Sequence, residues 1–281
     1  MALAAILISA LVAGIAAILV TMSIEKWGGL HGGVLATVPS TIVPAAVGIW
    51  LAIGNQSEFR DAMGIVPIGL ILNAGFLYLW RIVPPLIPQW RFSIRLTAIT
   101  LATLTTWGLA AAASMVGFRF LTSQGIDSFS IGVVALFFGL VIGFASTTKH
   151  RPSPRGENKV GTFTLLMRGV AASASIGVAV WLSSLGNPLA SGVMSIFPAI
   201  FTTSMVALWL SQGEAVPAGA IGPMMFGSQS VSLYALLVAL LYPRFDTLVG
   251  MCICSVLAWI VSVLSINFTV WFYLKSKANS E

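Results

Sequence analysis

Charged residues are scarce in this chain. Only 8% of its 281 residues are Asp, Glu, Lys or Arg, whereas 58% are hydrophobic, and the mean hydropathy is +0.98. Soluble domains carry about 25% charged residues. The composition therefore excludes a water-soluble fold and points to helices that cross a membrane, each of which needs about 20 mostly apolar residues.

Other absences narrow the chemistry. The two cysteines, Cys252 and Cys254, lie in the last apolar run, where ordinary thiols are favoured over a disulfide or a metal site. The carboxylates fall at the ends of apolar runs or in loops, so a carboxylate-driven proton pump is disfavoured. Because no Ser/His/Asp, paired-acid or metal-ligand set is visible, we expect neither enzymatic activity nor a cofactor or bound metal.

Nine apolar runs are long enough to cross a membrane. They predict an all-α integral membrane protein with about nine transmembrane helices, because barrel strands are much shorter. The runs are Ala2–Met22, Gly33–Ile53, Ala62–Trp80, Ile94–Gly117, Phe129–Thr147, Phe163–Leu185, Ser191–Leu210, Pro217–Leu241 and Phe245–Leu274.

The basic residues predict the orientation. With nine crossings, eleven of the 14 Lys and Arg residues fall on the side of the C-terminus and three on the other. Since cytoplasmic loops retain positive charge, the C-terminus should be cytoplasmic and the N-terminus non-cytoplasmic. The net charge of +6 is thereby explained without nucleic acid. Membrane lipids and a small-molecule or ion substrate are the expected partners, and formation of a homo-oligomer is left open.

The chain contains an internal repeat. Gly33–Gly54 aligns without a gap on Gly192–Gly213, with the same interval from proline to tryptophan in both. In the next run, four residues match four others at equal spacing: Pro67, Asn73, Leu77 and Tyr78 correspond to Pro223, Gln229, Leu233 and Tyr234. The later runs match weakly, through Trp107 and Trp259.

The repeat predicts a 4+1+4 organisation. Residues 1–127 form the first four-helix repeat, residues 128–160 a linker transmembrane helix with a basic cytoplasmic loop, and residues 161–281 the second repeat. Five crossings separate equivalent helices, so the second half enters the membrane in the opposite sense. This pattern is typical of inverted-topology repeats, which are concentrated in transporters. The alternative is a duplication that serves packing alone.

The repeated segments also resemble a known family. The stretches "GVMSIFPAIFTTSMVALWLSQGE" and "GVLATVPSTIVPAAVGIWLAIGNQSE" are similar to the small GlpM-like inner-membrane proteins. Each half covers about one such protein. The resemblance implies a tandem fusion of two GlpM-like units joined by an extra helix, and it concerns architecture more than activity.

Prolines mark the candidate substrate site. Pro39 and Pro198 lie inside equivalent helices, where a proline removes a backbone donor and opens the helix. Pro67 and Pro223 should do the same in the following helices. Freed backbone groups at membrane depth must be satisfied by neighbours or line a cavity. Hydroxyl-bearing residues flank the first two prolines: Thr37, Ser40 and Thr41 in one half and Ser195, Thr202 and Thr203 in the other. The alternative is that these residues are structural.

Two amides complete the candidate site. Asn73 and Gln229 each follow an equivalent proline by six residues, and an amide in lipid is costly unless it is paired. They are expected to face the interface between the halves, where they either bond each other or bind a solute.

The sequence thus predicts a secondary transporter. A midplane site without carboxylates fits a small neutral or anionic solute, exposed alternately by rocking one half against the other. A passive channel for a small ion or solute and a non-transporting membrane scaffold or assembly factor are the alternatives.

Overall fold

The computed structural model describes residues 2–27, 37–53, 55–88, 91–148, 161–212, 215–245 and 247–278, and these ranges contain helices and no strand. The helices before the linker are α1 (Ala2–Trp27), α2 (Ile42–Ile53), α3 (Gln56–Gly64), α4 (Val66–Ile82) and α5 (Phe92–Ser123). The linker helix is α6 (Ser128–Thr148). After it come α7 (Thr162–Ser184), α8 (Pro188–Ser195), α9 (Ala199–Gln212), α10 (Ala215–Gly227), α11 (Gln229–Leu241), α12 (Leu248–Ser262) and α13 (Phe268–Ala278), with a π-helical turn at Val263–Asn267 between the last two.

Seven helical segments in the described ranges are long and apolar enough to cross a membrane: Gln56–Ile82, Phe92–Ser123, Ser128–Thr148, Thr162–Ser184, Pro188–Val206, Ile221–Arg244 and Leu248–Ser276. The protein is therefore an all-α, multi-pass membrane protein by the length and composition of its helices. Two further apolar helices, Leu3–Leu19 and Ile42–Ile53, are shorter. The count of nine spans stays a prediction.

Local sequence fixes several helix ends. The side chains of Asn55, Asn187 and Thr247 each accept a hydrogen bond from a backbone N–H two or three residues later, at the start of α3, α8 and α12. At the other end of α5 and α7, Gly125 and Gly186 take positive φ values of 84° and 72°. A glycine accommodates this conformation without steric cost.

Helix interruptions lie near the predicted prolines. Residues 37–41, which include Pro39, precede α2 without helical structure, and Pro198 lies in the break between α8 and α9. Residues 33–36, the start of the predicted helix Gly33–Ile53, lie outside the described residues. Pro67 sits in the first turn of α4, directly after a break at Ile65. Pro223, by contrast, lies inside α10, and the interruption occurs only after Gly227. A proline removes one donor, and glycine has a low helix propensity.

Small residues allow the halves to pack closely. A side chain added at Gly14 of α1 would meet Ser173 of α7 at once. The linker helix uses Gly132, Gly139 and Gly143 in the same way, against the end of α3, the side of α11 and the backbone of α10. The linker helix α6 therefore contacts helices of both halves. Small residues at such contacts let membrane helices approach each other.

The outward faces of the helices are apolar. Leu109 on α5 and Val249 on α12 are each 70% exposed, as expected for side chains that face lipid. An interfacial belt is the default position for repeat aromatics near helix ends. Tyr78 is exposed, whereas Trp209 and Tyr234 are buried inside the protein. Trp209 packs edge-on against a tryptophan of the other half, Trp80, at 6.1 Å.

Candidate functional site

A cavity lies where the first break, the non-helical residues 37–41 before α2, meets the second break, between α8 and α9. Its volume is about 70 Å³. Since one water needs roughly 10–15 Å³ on such a measure, the cavity could hold a solute of a few heavy atoms. The first break and the start of α2 contribute residues 37, 38 and 40–42, and the second break with its flanking residues contributes 195–201. Helices α4, α7 and α11 complete the wall with Leu70, Asn73, Ala172, Ser175 and Val231, together with Ser228.

Six of the ten predicted site residues line this cavity: Thr37, Ser40, Thr41, Asn73, Ser195 and Pro198. The other four do not form its wall. Pro39 is buried within the first break. The hydroxyls of Thr202 and Thr203 donate to carbonyls of their own helix, those of Pro198 at 2.7 Å and Ala199 at 2.9 Å. These two hydroxyls are therefore engaged within their own helix.

Asn73 secures the second break from the opposite half. Its Nδ2 donates to the carbonyl of Ile196 at 2.9 Å, and its Oδ1 accepts from Nε1 of Trp107 at 2.8 Å. Asn73 is 2% exposed and so faces the protein interior. We call Asn73, Trp107 and the Ile196 carbonyl the first clamp. It satisfies a carbonyl that the helix break would otherwise leave without a donor.

The first break is secured in the same reciprocal manner. The hydroxyl of Ser230 has one proton, which it shares between the carbonyl of Gly227 at 2.8 Å and that of Thr37 at 3.0 Å. Asn267, at the end of the π-helical turn, donates through Nδ2 to Oγ1 of Thr37 at 2.8 Å and to the carbonyl of Gly227 at 3.3 Å. We call Thr37, Gly227, Ser230 and Asn267 the second clamp.

Gln229 lies elsewhere. It is fully buried and accepts a hydrogen bond from the hydroxyl of Ser232 at 3.1 Å. Its amide packs against Gly139 of the linker helix, where there is no room for a larger side chain. Asn73 and Gln229 therefore make no hydrogen bond to each other, because both amides are bonded to other partners. One residue corresponds to about 100° around a helix, so the neighbour of Gln229, Ser230, reaches the break instead.

The cavity wall offers neutral polar groups. The hydroxyls of Ser175, Ser195 and Ser228 donate to carbonyls of their own helices. Those of Ser40 and Thr41 are half-buried and make no hydrogen bond within the described part of the chain. The first residue of α2, Ile42, and the first three residues of α9 are also lining residues, so the N-terminal ends of two helices lie at the cavity wall.

Sequence reasoning did not single out Ser175, Ser228, Ser230 or Asn267, nor the role of Trp107. The sequence does contain an indication of these residues, because each is a polar residue inside an apolar run. Arg168 is another such residue. The sequence suggests that it extends to the membrane surface, yet it is 7% exposed and donates to the hydroxyl of Ser204. It lies one helical turn before Ala172 of the cavity wall.

The described residues contain no group of three or more His, Cys, Asp or Glu side chains placed to hold a metal ion. No protein-family model, no characterised protein and no solved structure matches the chain. The GlpM-like resemblance therefore stays a prediction.

Proposed function

We propose that the protein is a secondary transporter, which moves a small neutral or anionic solute across the membrane by alternating access. The observation that carries this proposal is the cavity at the junction of the non-helical residues 37–41 and the break between α8 and α9. Irregular backbone at membrane depth is tolerated where it is buried in protein or lines a cavity. Binding sites of secondary transporters are built from discontinuous helices in this way.

The chemistry of the wall supports the solute class. Among the described lining residues, every polar side chain is a hydroxyl or an amide, and none is ionisable. The carbonyl of Ile196 is capped by Asn73, while the hydroxyls of Ser40 and Thr41 and the N-termini of α2 and α9 remain at the wall. Such a surface favours a polar neutral solute or a small anion over a metal cation.

The inverted repeat belongs to the same proposal. Reciprocal contacts support it, because each half secures the break of the other through the two clamps. Aromatic contacts also join the two halves. Trp50 lies 6.0 Å from Tyr242, and the equivalent Trp209 lies 6.1 Å from Trp80. A pseudo-two-fold relation would produce contacts of this kind. Nine spans, a non-cytoplasmic N-terminus and a cytoplasmic C-terminus complete the proposal.

Purified protein in liposomes tests transport. Uptake of urea, glycerol, formate and chloride should identify a probe whose flux saturates and shows counterflow. Linear flux without saturation would favour a channel, and no flux of any solute in a broader ligand screen would favour a scaffold.

Two matched variants tie flux to the cavity. Ser175→Leu places a larger side chain in the cavity wall, whereas Ala174→Leu changes the exposed neighbour on the same helix. We expect the first variant to suppress flux and the second to leave it unchanged. Equal flux in both variants would show that the solute does not pass through this cavity.

A further inference from the structure

The second clamp forms a closed ring of polar atoms. The Thr37 carbonyl oxygen is 3.0 Å from Oγ of Ser230, which is 2.8 Å from the Gly227 carbonyl oxygen. That carbonyl is 3.3 Å from the Asn267 amide, which is 2.8 Å from Oγ1 of Thr37. Thr37, Ser230 and Asn267 are all at most 3% exposed. The ring is therefore enclosed in the protein.

Asn267 holds an atom that these bonds do not explain. Its Oδ1 is buried and accepts no hydrogen bond from any described residue, although Asn267 is only 1% exposed. A buried acceptor without a donor is costly, and in native proteins it often marks a water or an ion. The corresponding atom of the first clamp, Oδ1 of Asn73, accepts the indole N–H of Trp107. The second clamp therefore has an acceptor without a donor, Oδ1 of Asn267, where the first clamp has an acceptor bonded to its donor.

The local backbone supports a functional role. Asn267 is the last residue of the π-helical turn Val263–Asn267, and such turns are frequent at functional sites. Rotating its amide by half a turn would exchange oxygen and nitrogen. Oδ1 would then lie near 2.8 Å from Oγ1 of Thr37 and 3.3 Å from the Gly227 carbonyl. The ring would then present five oxygens, and the amide nitrogen would take the position that Oδ1 holds in the structure.

We propose that this ring binds a monovalent cation, with Na⁺ as the first candidate. Ca²⁺, whose ionic radius is nearly that of Na⁺, binds oxygens at about 2.3–2.6 Å, and oxygens at that distance around one ion lie roughly 3–3.5 Å from one another, which is close to the separations in the ring. All five ligands are neutral, and a divalent ion buried without carboxylates would remain uncompensated.

The cation site adjoins the solute cavity. Thr37 contributes two atoms to the ring and also lines the cavity, and Ser228 beside the ring lines it too. A bound cation would hold the first break against α10, α11 and the π-helical turn. We assign it the role of coupling ion. That role rests on the proposed transport function, whereas cation binding itself does not.

Thermal unfolding of the purified full chain tests binding. NaCl replaces choline chloride at constant ionic strength, so that only the identity of the cation changes. We expect a saturable rise of several degrees in the unfolding temperature with Na⁺. The rise should vanish in Asn267→Leu and persist in Asn73→Leu, which changes the amide of the first clamp. If Asn267→Leu does not fold, Ser230→Ala serves as the test in its place. This variant removes one ligand and should shift the midpoint of the Na⁺ titration roughly tenfold upwards.

The outcomes are distinct. Equal unfolding temperatures in NaCl, KCl and choline chloride would overturn the site and leave a buried water only. A rise with KCl alone would keep the cation site and change the ion. A Na⁺ shift of unchanged size in Asn267→Leu would place the cation elsewhere and overturn this assignment. Unfolding is measured without a solute, so it reports on cation binding alone. Na⁺ binding in a protein that shows no flux would therefore contradict the transport function and leave the cation site in place. Flux that is indifferent to a Na⁺ gradient would remove the coupling role.

Discussion

The two clamps perform the same task with different chemistry. In the first, one amide spans the gap, and both ends of Asn73 are bonded, to the Ile196 carbonyl and to Trp107. In the second, the task is divided between Ser230 and Asn267, and Oδ1 of Asn267 receives no donor from the described residues. The first clamp is therefore saturated, whereas the second has capacity for a further ligand.

Under the proposed repeat, this difference teaches that equivalent backbone positions need not carry the same chemistry. Both breaks need donors for their freed carbonyls, and both obtain them from the opposite half. The first half supplies an indole N–H beside the amide, and the second half does not. We expect the first clamp to act as a fixed contact and the second as the one that responds to ligand.

The largest effect should follow from removing both breaks. In the double variant Pro39→Ala and Pro198→Ala, the new N–H groups can restore helical bonding, so we expect flux to fall by roughly tenfold or more while membrane insertion is retained. Liposome uptake measures the effect. Each single variant should be intermediate if the breaks are equivalent. Undiminished flux in the double variant would reduce these prolines to packing features.

The saturated clamp should be the more costly to disrupt. Asn73→Leu leaves the Ile196 carbonyl and the Trp107 N–H without partners in a buried site, and we expect a loss of about 1–3 kcal/mol in the free energy of unfolding. Equilibrium unfolding in detergent measures it. Asn267→Leu in choline chloride is the matched comparison and should cost less, because one end of that amide is already without a partner. The reverse order would contradict the contrast between the clamps.

Much of the site could be predicted from the sequence. The interval from Pro39 to Trp50, repeated from Pro198 to Trp209, indicated where helices break. The position of Asn73 six residues after Pro67 indicated a buried amide. These are local signals, because a proline acts on its own helix and an amide in an apolar run demands a partner.

The partners themselves were beyond the sequence. Ser230 and Asn267 lie 193 and 230 residues from Thr37 along the chain, so their contact depends on how the helices pack. Gln229 matched Asn73 in spacing, yet the rotation of α11 turns it to the linker helix. Matching intervals in the sequence identify the helix and the position of a residue along it. The side of the helix that meets the partner is set by tertiary packing.

A smaller effect should follow from converting the first clamp toward the second. Trp107→Phe removes the indole N–H that Oδ1 of Asn73 accepts, while the bond from Asn73 to the Ile196 carbonyl can remain. We expect a loss of about 1 kcal/mol in the free energy of unfolding. Trp259→Phe, at an exposed position on α12, controls for the change of ring. An equal loss in both variants would show that the hydrogen bond to Asn73 contributes nothing.

The smallest effect is expected at Ser230. Ser230→Ala removes the donor to the Thr37 carbonyl and leaves the two bonds of Asn267 in place. Alanine is slightly smaller than serine, so no cavity of consequence forms. Hydrogen bonds between membrane helices average about 0.6 kcal/mol, and we expect a loss of that size in choline chloride. In NaCl the loss should be larger, because the bound cation would lose one of its ligands. Ser262→Ala, a buried serine on α12 that bonds only its own helix, should lose equally little in both salts. If Ser230→Ala and Ser262→Ala respond alike to the change of salt, the second clamp is as inert toward cations as the first, and the contrast between the two clamps fails.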